Sequence, residues 1–353
     1  MRWLSDPPDP FLGTAETLPY GRRLREERGH RIPVVVVTGF LGAGKSTLVG
    51  RLAATPQGEG TAIVVNEIGE IGIDDALLAT SGETVRLMAG GCLCCAVRSD
   101  LEMTLRGLHR DRSEGRVPPF RRIVVETSGA ADPAAILQTL IGNRALADSF
   151  HLQAVVTAVD ARHGTETLAG RPEARMQVAL ADRIVLTKTD LADEAETAAT
   201  LASLRALNAG APVAEARSGA VDPAFLIGEG PARPALRALP AGEAVHGEAI
   251  ATLSLRFERP FTPAALTEAL GTLSRLSGTR LLRAKGLLAV AGCRGPVVVQ
   301  GVRHHWHPPV ELETWPDAER RSRLVLIGTG LRPEPIIRLF EAIIELGDSE
   351  DSS

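Results

Sequence analysis

The strongest constraint on this chain is the segment 33–47, which reads PVVVVTGFLGAGKST. Val34–Val37 are typical of a strand buried on both faces, and Ser46–Ala54 is typical of a helix. Between them, Gly39, Gly44 and Lys45 have the phosphate-loop spacing G-x-x-x-x-G-K-[ST]. Backbone N–H groups and the positive end of a helix bind anions at such a turn. The segment therefore predicts a nucleotide-phosphate site, in preference to a glycine-rich turn with an incidental lysine.

Two segments supply side chains for phosphates and a magnesium ion. We expect the Lys45 ammonium to reach the outer phosphates and the Ser46 hydroxyl to ligate Mg²⁺. Ile123–Gly129 reads IVVETSG, so a buried strand ends in a carboxylate that is followed by a glycine. Glu126 is expected to hold the Mg²⁺ shell through water, and the Gly129 amide is expected to sense the terminal phosphate.

A carboxylate at a strand end also has a simpler interpretation, which is that it caps the following helix. We keep that alternative for Glu126 and favour it for Asp132 and Asp160. Ala130 follows the glycine at a position where GTPases often carry a glutamine that orients the attacking water. The sequence therefore predicts slow hydrolysis without a partner.

The base is indicated by residues 183–190, which read RIVLTKTD and resemble the N-K-x-D motif of GTPases. The Asp190 carboxylate can accept two hydrogen bonds, from the guanine N1–H and the 2-amino group, and adenine cannot offer that pair. The Lys188 stem can lie along the ring. GTP is favoured over ATP, although Thr187 replaces the usual asparagine and a polar loop after a buried strand remains the alternative.

Three of the four cysteines crowd into the segment GGCLCC, as Cys92, Cys94 and Cys95. Three thiolates without an obvious fourth protein ligand favour Zn²⁺ or a comparable soft divalent ion, with one coordination position open for handover. A redox dithiol and a set of small buried side chains are the alternatives. The fourth cysteine, Cys293, is interpreted as an ordinary thiol.

A link between nucleotide and metal is suggested by the segment 66–74, NEIGEIGID, which follows another buried strand. Its carboxylates Glu67 and Asp74 flank glycines that can bend, so the segment is a switch candidate. The alternative is a solvated acidic turn.

Alternation of strand-like and helix-like runs predicts an α/β fold with a doubly wound, mostly parallel sheet. The segment Gly228–Ala244 lacks either hydrophobic period and is interpreted as a linker. A smaller α+β domain is predicted beyond it. The expected organisation is an extension over 1–31, a GTPase domain over 32–227, a linker over 228–245, the second domain over 246–347 and an acidic tail over 348–353.

Composition narrows the classes of partner. The 353 residues, 44% of them hydrophobic, can fill two cores. A net charge of -4 and 3% aromatic residues disfavour nucleic acid as a partner. No apolar run reaches the roughly 20 residues of a membrane span, and the first residues lack a signal-peptide core. We therefore expect no membrane association and a cytoplasmic location.

The roles of two groups of side chains in the second domain stay open. The histidines of the sequence HHWH are either metal ligands or part of a surface loop, and the basic residues nearby either face a client or the switch or are solvated. The histidines are His304, His305 and His307, and the basic residues are Arg283, Lys285 and Arg303.

Taken in order, GFLGAGKST, NEIGEIGID, GGCLCC, ETSGAADP, ADRIVLTKTD, LLRAKG and RLVLIG resemble the CobW-type metal-chaperone GTPases. That family belongs to the metal-handling group of P-loop GTPases, and the resemblance covers about residues 33–345. It implies a Ras-like GTPase domain followed by a CobW C-terminal domain.

The resemblance also implies that the chain hydrolyses GTP and delivers Zn²⁺ or Co²⁺ to a client metalloprotein. A homodimer is compatible with it. A nucleotide-bound metal or thiol-redox sensor without turnover is the alternative function, and a small-molecule kinase fits less well. Carried over by position, the metal ligands are the three clustered cysteines, and the nucleotide and Mg²⁺ contacts come from Gly42, Ala43, Gly44, Lys45, Ser46, Thr47, Glu126, Gly129, Lys188 and Asp190.

Overall fold

A computed structural model describes residues 31–66, 85–87, 96–228, 250–307 and 309–350. The chain divides near residue 252 into two compact units. None of the described helices is long and apolar enough to cross a membrane. Several predicted features lie outside the described residues, namely the N-terminal extension, most of the linker, the switch candidates Glu67 and Asp74, and the thiol cluster of Cys92, Cys94 and Cys95.

The first unit is built on a seven-stranded sheet in the order β3-β2-β4-β1-β5-β6-β7. Every strand pair in it is parallel, which confirms the predicted fold class. The strands are β1 (Ile32–Gly39), β2 (Thr61–Asn66), β3 (Val85–Leu87), β4 (Arg122–Thr127), β5 (Phe150–Asp160), β6 (Arg183–Thr187) and β7 (Val213–Glu215).

Helices cover both faces of this sheet, which explains why β1 and β4 are buried along nearly their whole length. One core lies beneath the helix that follows the phosphate loop, and a second lies beneath the helices that flank β6. The helices are α1 (Lys45–Ala53), α2 (Ala96–Ser113), α3 (Pro133–Gly142), α4 (Arg144–Ala147), α5 (Gly164–Gly170), α6 (Pro172–Leu180), α7 (Glu194–Leu207) and α8 (Pro223–Ile227).

The second unit is an α+β domain, as predicted. Its strands follow the order β11-β10-β9-β13-β8, with β12 paired to β10, and β10 pairs antiparallel with β9, β11 and β12, as does β9 with β13. Two helices pack on one face of the sheet around the rings of Phe257, Phe261 and Phe340. The elements are β8 (Ile250–Phe257), α9 (Pro263–Ser277), β9 (Leu281–Leu288), β10 (Val297–Val302), β11 (His305–Trp306), β12 (Val310–Glu311), β13 (Ser322–Thr329) and α10 (Pro333–Glu350). Helix α10 thus enters the segment predicted as an acidic tail.

Candidate functional site

The phosphate loop connects the end of β1 to the start of α1. Gly44 stands at the N-cap of α1 with φ 84°, in the left-handed region that favours glycine. Gly39 has φ 147°, and a Cβ there would collide with the carbonyl oxygen of Ala158 on β5. Within the described part of the chain, no side chain caps the start of α1. The first N–H groups of the helix are therefore available to an anion.

A cavity of about 390 Å³ opens at this loop. It gathers residues that are far apart in sequence, because the carboxyl ends of parallel strands meet at one edge of the sheet. Side chains or backbone from the loop, from the end of β4 and from the base motif line it together, including Gly42, Gly44, Lys45, Ser46, Thr47, Glu126, Gly129 and Lys188. Glu126 lies on β4, next to β1, whereas Asp190 follows β6, which is two strands from β1 on the other side. Of the two residues, only Glu126 lines the cavity.

Glu126 and the phosphate loop are in direct contact. The Ser46 hydroxyl donates a hydrogen bond of 2.6 Å to Glu126 Oε1, and Glu126 is 4% exposed. Lys45 is buried, and its Nζ lies 3.4 Å from the Phe40 carbonyl oxygen, to which it donates. A hydroxyl and a carboxylate side by side are the oxygen donors that Mg²⁺ takes in phosphate sites. Ser46 and Glu126 therefore fit the magnesium role predicted for them.

Gly129 is pressed against the phosphate loop. A Cβ on this residue would lie 2.7 Å from the backbone nitrogen of Leu41. Any larger residue would force the two loops apart, so only glycine allows this approach. The strand before it is fixed to β1 by a hydrogen bond of 2.9 Å from the Thr127 hydroxyl to that of Thr38. The β4–α3 loop therefore lies beside the position expected for the outer phosphates.

Thr187 has a contact that the sequence comparison with N-K-x-D motifs did not suggest. Its hydroxyl donates to the carbonyl oxygen of Ala43 at 2.8 Å and to that of Val159 at 3.1 Å, and the residue is 2% exposed. Thr187 therefore connects the base motif to the phosphate loop through a short buried side chain. The departure from asparagine preserves a donor at this position.

Lys188 is held by an acidic partner. It has φ 57°, and its Nζ donates to Asp160 Oδ2 at 2.7 Å. Asp160 also accepts from the backbone N–H groups of Arg162 and His163. Burial alone would raise the pKa of Asp160, but these three hydrogen bonds outweigh it and hold the pKa below its usual range. Asp160 thus does more than form the helix-start contact expected for it, whereas Asp132 caps α3 as predicted.

Asp190 is contacted by a loop that sequence reasoning missed. Its Oδ1 accepts from the backbone N–H of Ser218 at 2.9 Å, and its Oδ2 accepts from the Ser218 hydroxyl at 3.3 Å. The Ser218 N–H is the main reason that the pKa of Asp190 is lowered. The next residue, Gly219, packs against Thr47 of α1. Residues 212–214, PVA, indicate a strand whose end reaches the same sheet edge, but nothing in the sequence indicates which residue of the following loop contacts Asp190.

Comparison with known proteins gives the family. The family described as "CobW/HypB/UreG, nucleotide-binding domain" matches residues 33–215, and "Cobalamin synthesis protein cobW C-terminal domain" matches residues 250–344. The chain belongs to the CobW/HypB/UreG family. It has the P-loop GTPase fold of that family, followed by a CobW C-terminal domain, as the resemblance implied.

Relatives within this family match nearly the whole chain. The zinc chaperone YjiA of Escherichia coli is 32% identical over 321 residues, covering 88% of this chain and 98% of YjiA. The zinc chaperone CobW of Pseudomonas aeruginosa is 30% identical over 368 residues, covering 89% of this chain and 93% of CobW. The crystal structure of Zn(II)-bound YjiA GTPase from E. coli matches with a TM-score of 0.66 at 29% identity, covering 89% and 99% of the two chains.

The cysteine motif of this CobW family member falls outside the described residues, but the strand before it is described. Strand register aligns Leu87, the last residue of β3, with Val65 on β2, and Val65 with Glu126 on β4. Two strand spacings separate Leu87 from Glu126, a distance of about 10 Å. The chain therefore enters the segment that contains the cysteines from the same sheet edge as the magnesium candidates.

The described residues contain no group of three or more His, Cys, Asp or Glu side chains placed to hold a metal. The metal-ligand alternative for the HHWH histidines therefore finds no support among the described residues, although the rings of His304 and His305 lie 4.1 Å apart. Trp306 of the same hairpin donates to the Ser274 hydroxyl at 2.6 Å, which attaches β11 to α9. These contacts favour the structural interpretation of the HHWH segment.

The sequence leaves two alternatives open for the basic residues of the second unit, a surface that faces a client or the switch and a solvated surface. Both require exposed side chains, which Arg283 does not provide. Arg283 on β9 is 3% exposed, and Lys285 two residues later is partly buried. Burial lowers the pKa of Arg283 to about 9 and that of Lys285 to about 7. Arg303 differs from both, because it stands in the β10–β11 turn with φ 54°.

Proposed function

We propose that this protein is a GTP-hydrolysing metallochaperone that binds Zn²⁺ or Co²⁺ through Cys92, Cys94 and Cys95 and delivers it to a client metalloprotein. The observation that carries the proposal is the convergence of phosphate loop, Glu126 and base motif at one sheet edge, from which the chain also enters the cysteine segment. Zinc chaperones 30–32% identical to this chain along most of its length support the same function.

In this proposal, Lys45 and the N-terminus of α1 bind the phosphates of GTP, and Lys188 and Asp190 bind the guanine. Ser46 and Glu126 hold Mg²⁺, which supplies positive charge near the transferred phosphoryl group when it is bound. Water attacks the terminal phosphorus as the bond to the bridging oxygen breaks, giving GDP and phosphate. The Gly129 amide stabilises charge on the terminal phosphate.

Turnover is expected to be slow for the protein alone. Ala130 follows Gly129, and a methyl group can neither accept a proton nor orient a water molecule. A client or another partner would then supply the missing group or order the loop. Slow basal turnover suits a protein that must keep GTP bound until a client arrives.

Support for gating of the metal by the nucleotide comes from Leu87, the last described residue before the cysteine segment, whose register places it two strands from Glu126. We propose that Glu67 and Asp74 belong to a switch segment whose arrangement depends on the terminal phosphate. The thiolates then bind metal with different affinity in the GTP and GDP states. Linkage requires bound metal to change the affinity for GTP by the same factor.

The first test is metal analysis of the purified protein beside the triple variant with Cys92, Cys94 and Cys95 replaced by alanine. We expect the triple variant to lose bound zinc and keep its basal GTP turnover. Cys293→Ala is the matched control, because burial raises the pKa of the Cys293 thiol to about 11 and keeps it from acting as a thiolate ligand. Equal zinc content in the wild type and the triple variant would remove the thiol site.

The second test addresses the gating. A chelator competition titration for Zn²⁺ is made with GDP bound and again with a non-hydrolysable GTP analogue. We expect zinc affinities that differ by about 5-fold or more, the range of ordinary coupling between sites. Equal affinities would leave a metal-binding GTPase without gating.

A further inference from the structure

Gln177 on α6 is a buried side chain whose contacts the proposed function does not yet use. It is 0% exposed, and its Nε2 donates to the carbonyl oxygen of Gly129 at 3.0 Å and to that of Ala131 at 3.2 Å. Both acceptors belong to the β4–α3 loop. The backbone carbonyl oxygen of Gln177 accepts a hydrogen bond of 2.8 Å from the Thr157 hydroxyl, so the same residue is also attached to β5.

Both acceptors lie in the part of that loop that packs against the phosphate loop. Ala131 donates its N–H to the Ser128 carbonyl oxygen at 3.1 Å, which closes a turn around Gly129. Gly129 in turn lies against the backbone of Leu41 in the phosphate loop. The two carbonyl groups held by Gln177 belong to the peptide groups 129–130 and 131–132, and the Ser128 carbonyl belongs to the peptide group that carries the Gly129 N–H. These hydrogen bonds together restrict rotation on both sides of Gly129. The direction of the Gly129 backbone therefore depends on the Gln177 amide.

Gln177 also lies close to the phosphate loop itself. It lines a second cavity, of about 180 Å³, together with Phe40–Ala43. Both amide hydrogens of Gln177 are directed to the β4–α3 loop, and a primary amide has no others to donate. An apolar side chain of similar volume would fill the space and could not donate to either carbonyl.

We propose that Gln177 is a positioning residue for the response to GTP, which holds the Gly129 backbone in the orientation that contacts the terminal phosphate. This inference rests on the proposed function, in which Gly129 has that contact. The effect should be specific to the triphosphate, because GDP has no terminal phosphate near Gly129. Loss of the amide should weaken binding of a GTP analogue and spare binding of GDP.

The test compares Gln177→Met with the wild type by fluorescence titration of GDP and of a non-hydrolysable GTP analogue, with Mg²⁺ present. We expect the preference for the analogue over GDP to fall about 10-fold, within the usual range of coupling between sites. The matched control is Asn208→Leu. Asn208 is 6% exposed and donates from Nδ2 to the carbonyl oxygens of Val178, Ala179 and Ala181 at the end of the same helix.

Each substitution removes a buried amide, that of Gln177 on α6 or that of Asn208, which donates to the end of α6, so both should lower the melting temperature. A purely structural role for Gln177 predicts the same nucleotide preference in the two variants, and that result would overturn the inference. Failure of the wild type to bind guanine nucleotides would instead refute the proposed function.

Hydrogen exchange of the wild type gives an answer even if Gln177→Met does not fold. Replacing GDP by the GTP analogue should change exchange in residues 127–135 and in residues 172–180 together. A change confined to residues 127–135 would show that the loop responds without α6, contrary to the inference.

Discussion

The two units of this molecule place their polar groups in opposite ways. In the first unit, Ser46, Glu126 and Lys188 stand at one edge of a parallel sheet, around a cavity. In the second, Arg283 and Lys285 lie along β9, inside the body of an antiparallel sheet. Parallel strands all end at the same edge, so that the loops after them meet there, whereas antiparallel strands end alternately at both edges. Chain direction within the sheet therefore decides where a site can be assembled.

The difference is also energetic. Lys188 reaches Asp160 at the cavity and can still approach a ligand, since its side chain is 37% exposed. Burial lowers the pKa of Lys285, so the ammonium costs free energy in the folded state. We therefore expect the charged side chains at the cavity of the first unit to affect GTP binding and hydrolysis. The charged side chains on β9 should affect only the stability of the fold.

The largest expected effect is on the phosphate-loop lysine. Lys45→Ala should lower the rate of GTP hydrolysis by about 100-fold or more, because removal of a preorganised charge from a transition state costs that much. Phosphate release under multiple turnover measures it. Lys285→Met is the matched control and should leave the rate unchanged. A fall of similar size in both variants would break the distinction between the two units.

Base specificity should change with Asp190. Asp190→Asn removes an acceptor for the guanine N1–H and 2-amino groups and offers an amide donor that suits the 2-oxo group of xanthine. We expect affinity for GTP to fall about 10- to 100-fold while affinity for xanthosine triphosphate rises, measured by competition against a fluorescent nucleotide. An unchanged GTP affinity would mean that the base lies elsewhere.

The contact between the base motif and the phosphate loop should be measurable as stability. Thr187→Val keeps the shape and removes the hydroxyl that donates to the carbonyl oxygens of Ala43 and Val159. We expect a loss of about 1–3 kcal/mol in the free energy of unfolding, determined by urea denaturation. Thr187→Ser retains the donor and should lose less. Equal losses in the two variants would assign the effect to packing.

The smallest effect is predicted for the second unit and depends on pH. The folded pKa of Lys285 is about 7, whereas an unfolded lysine titrates near about 10.4. Between these values the unfolded chain binds more protons than the folded one, so the free energy of unfolding should rise with pH. Because Lys285 is only partly buried, we expect a rise of about 1 kcal/mol between pH 7 and 10. Denaturation at several pH values checks it.

Lys285→Met supplies the comparison for that pH series. The variant has no group that titrates at this position, so its stability should be higher than that of the wild type at pH 7 and should change less with pH. Parallel pH curves for the two proteins would show that Lys285 is hydrated in the folded state.

The sequence was sufficient for the parallel sheet and for the residues at its edge, because buried strands and glycine turns follow local rules. Contacts between side chains distant in the sequence were not predictable. Ser218 and Gln177 carry no local signal, since a serine in a loop and a glutamine on a helix occur everywhere. The burial of Arg283 was missed for a related reason: alternation along β9 shows which residues share a face, and it does not show what covers that face.

The approach of Gly129 to Leu41 has a consequence for natural variation in this family. The close contact includes the backbone nitrogen and Cα of Leu41, whereas much of the Leu41 side chain is on the surface, with 64% of the residue exposed. No substitution at position 41 can move its own backbone out of the way. Amino-acid substitutions should therefore be tolerated at position 41 and excluded at position 129, although the two residues are in contact.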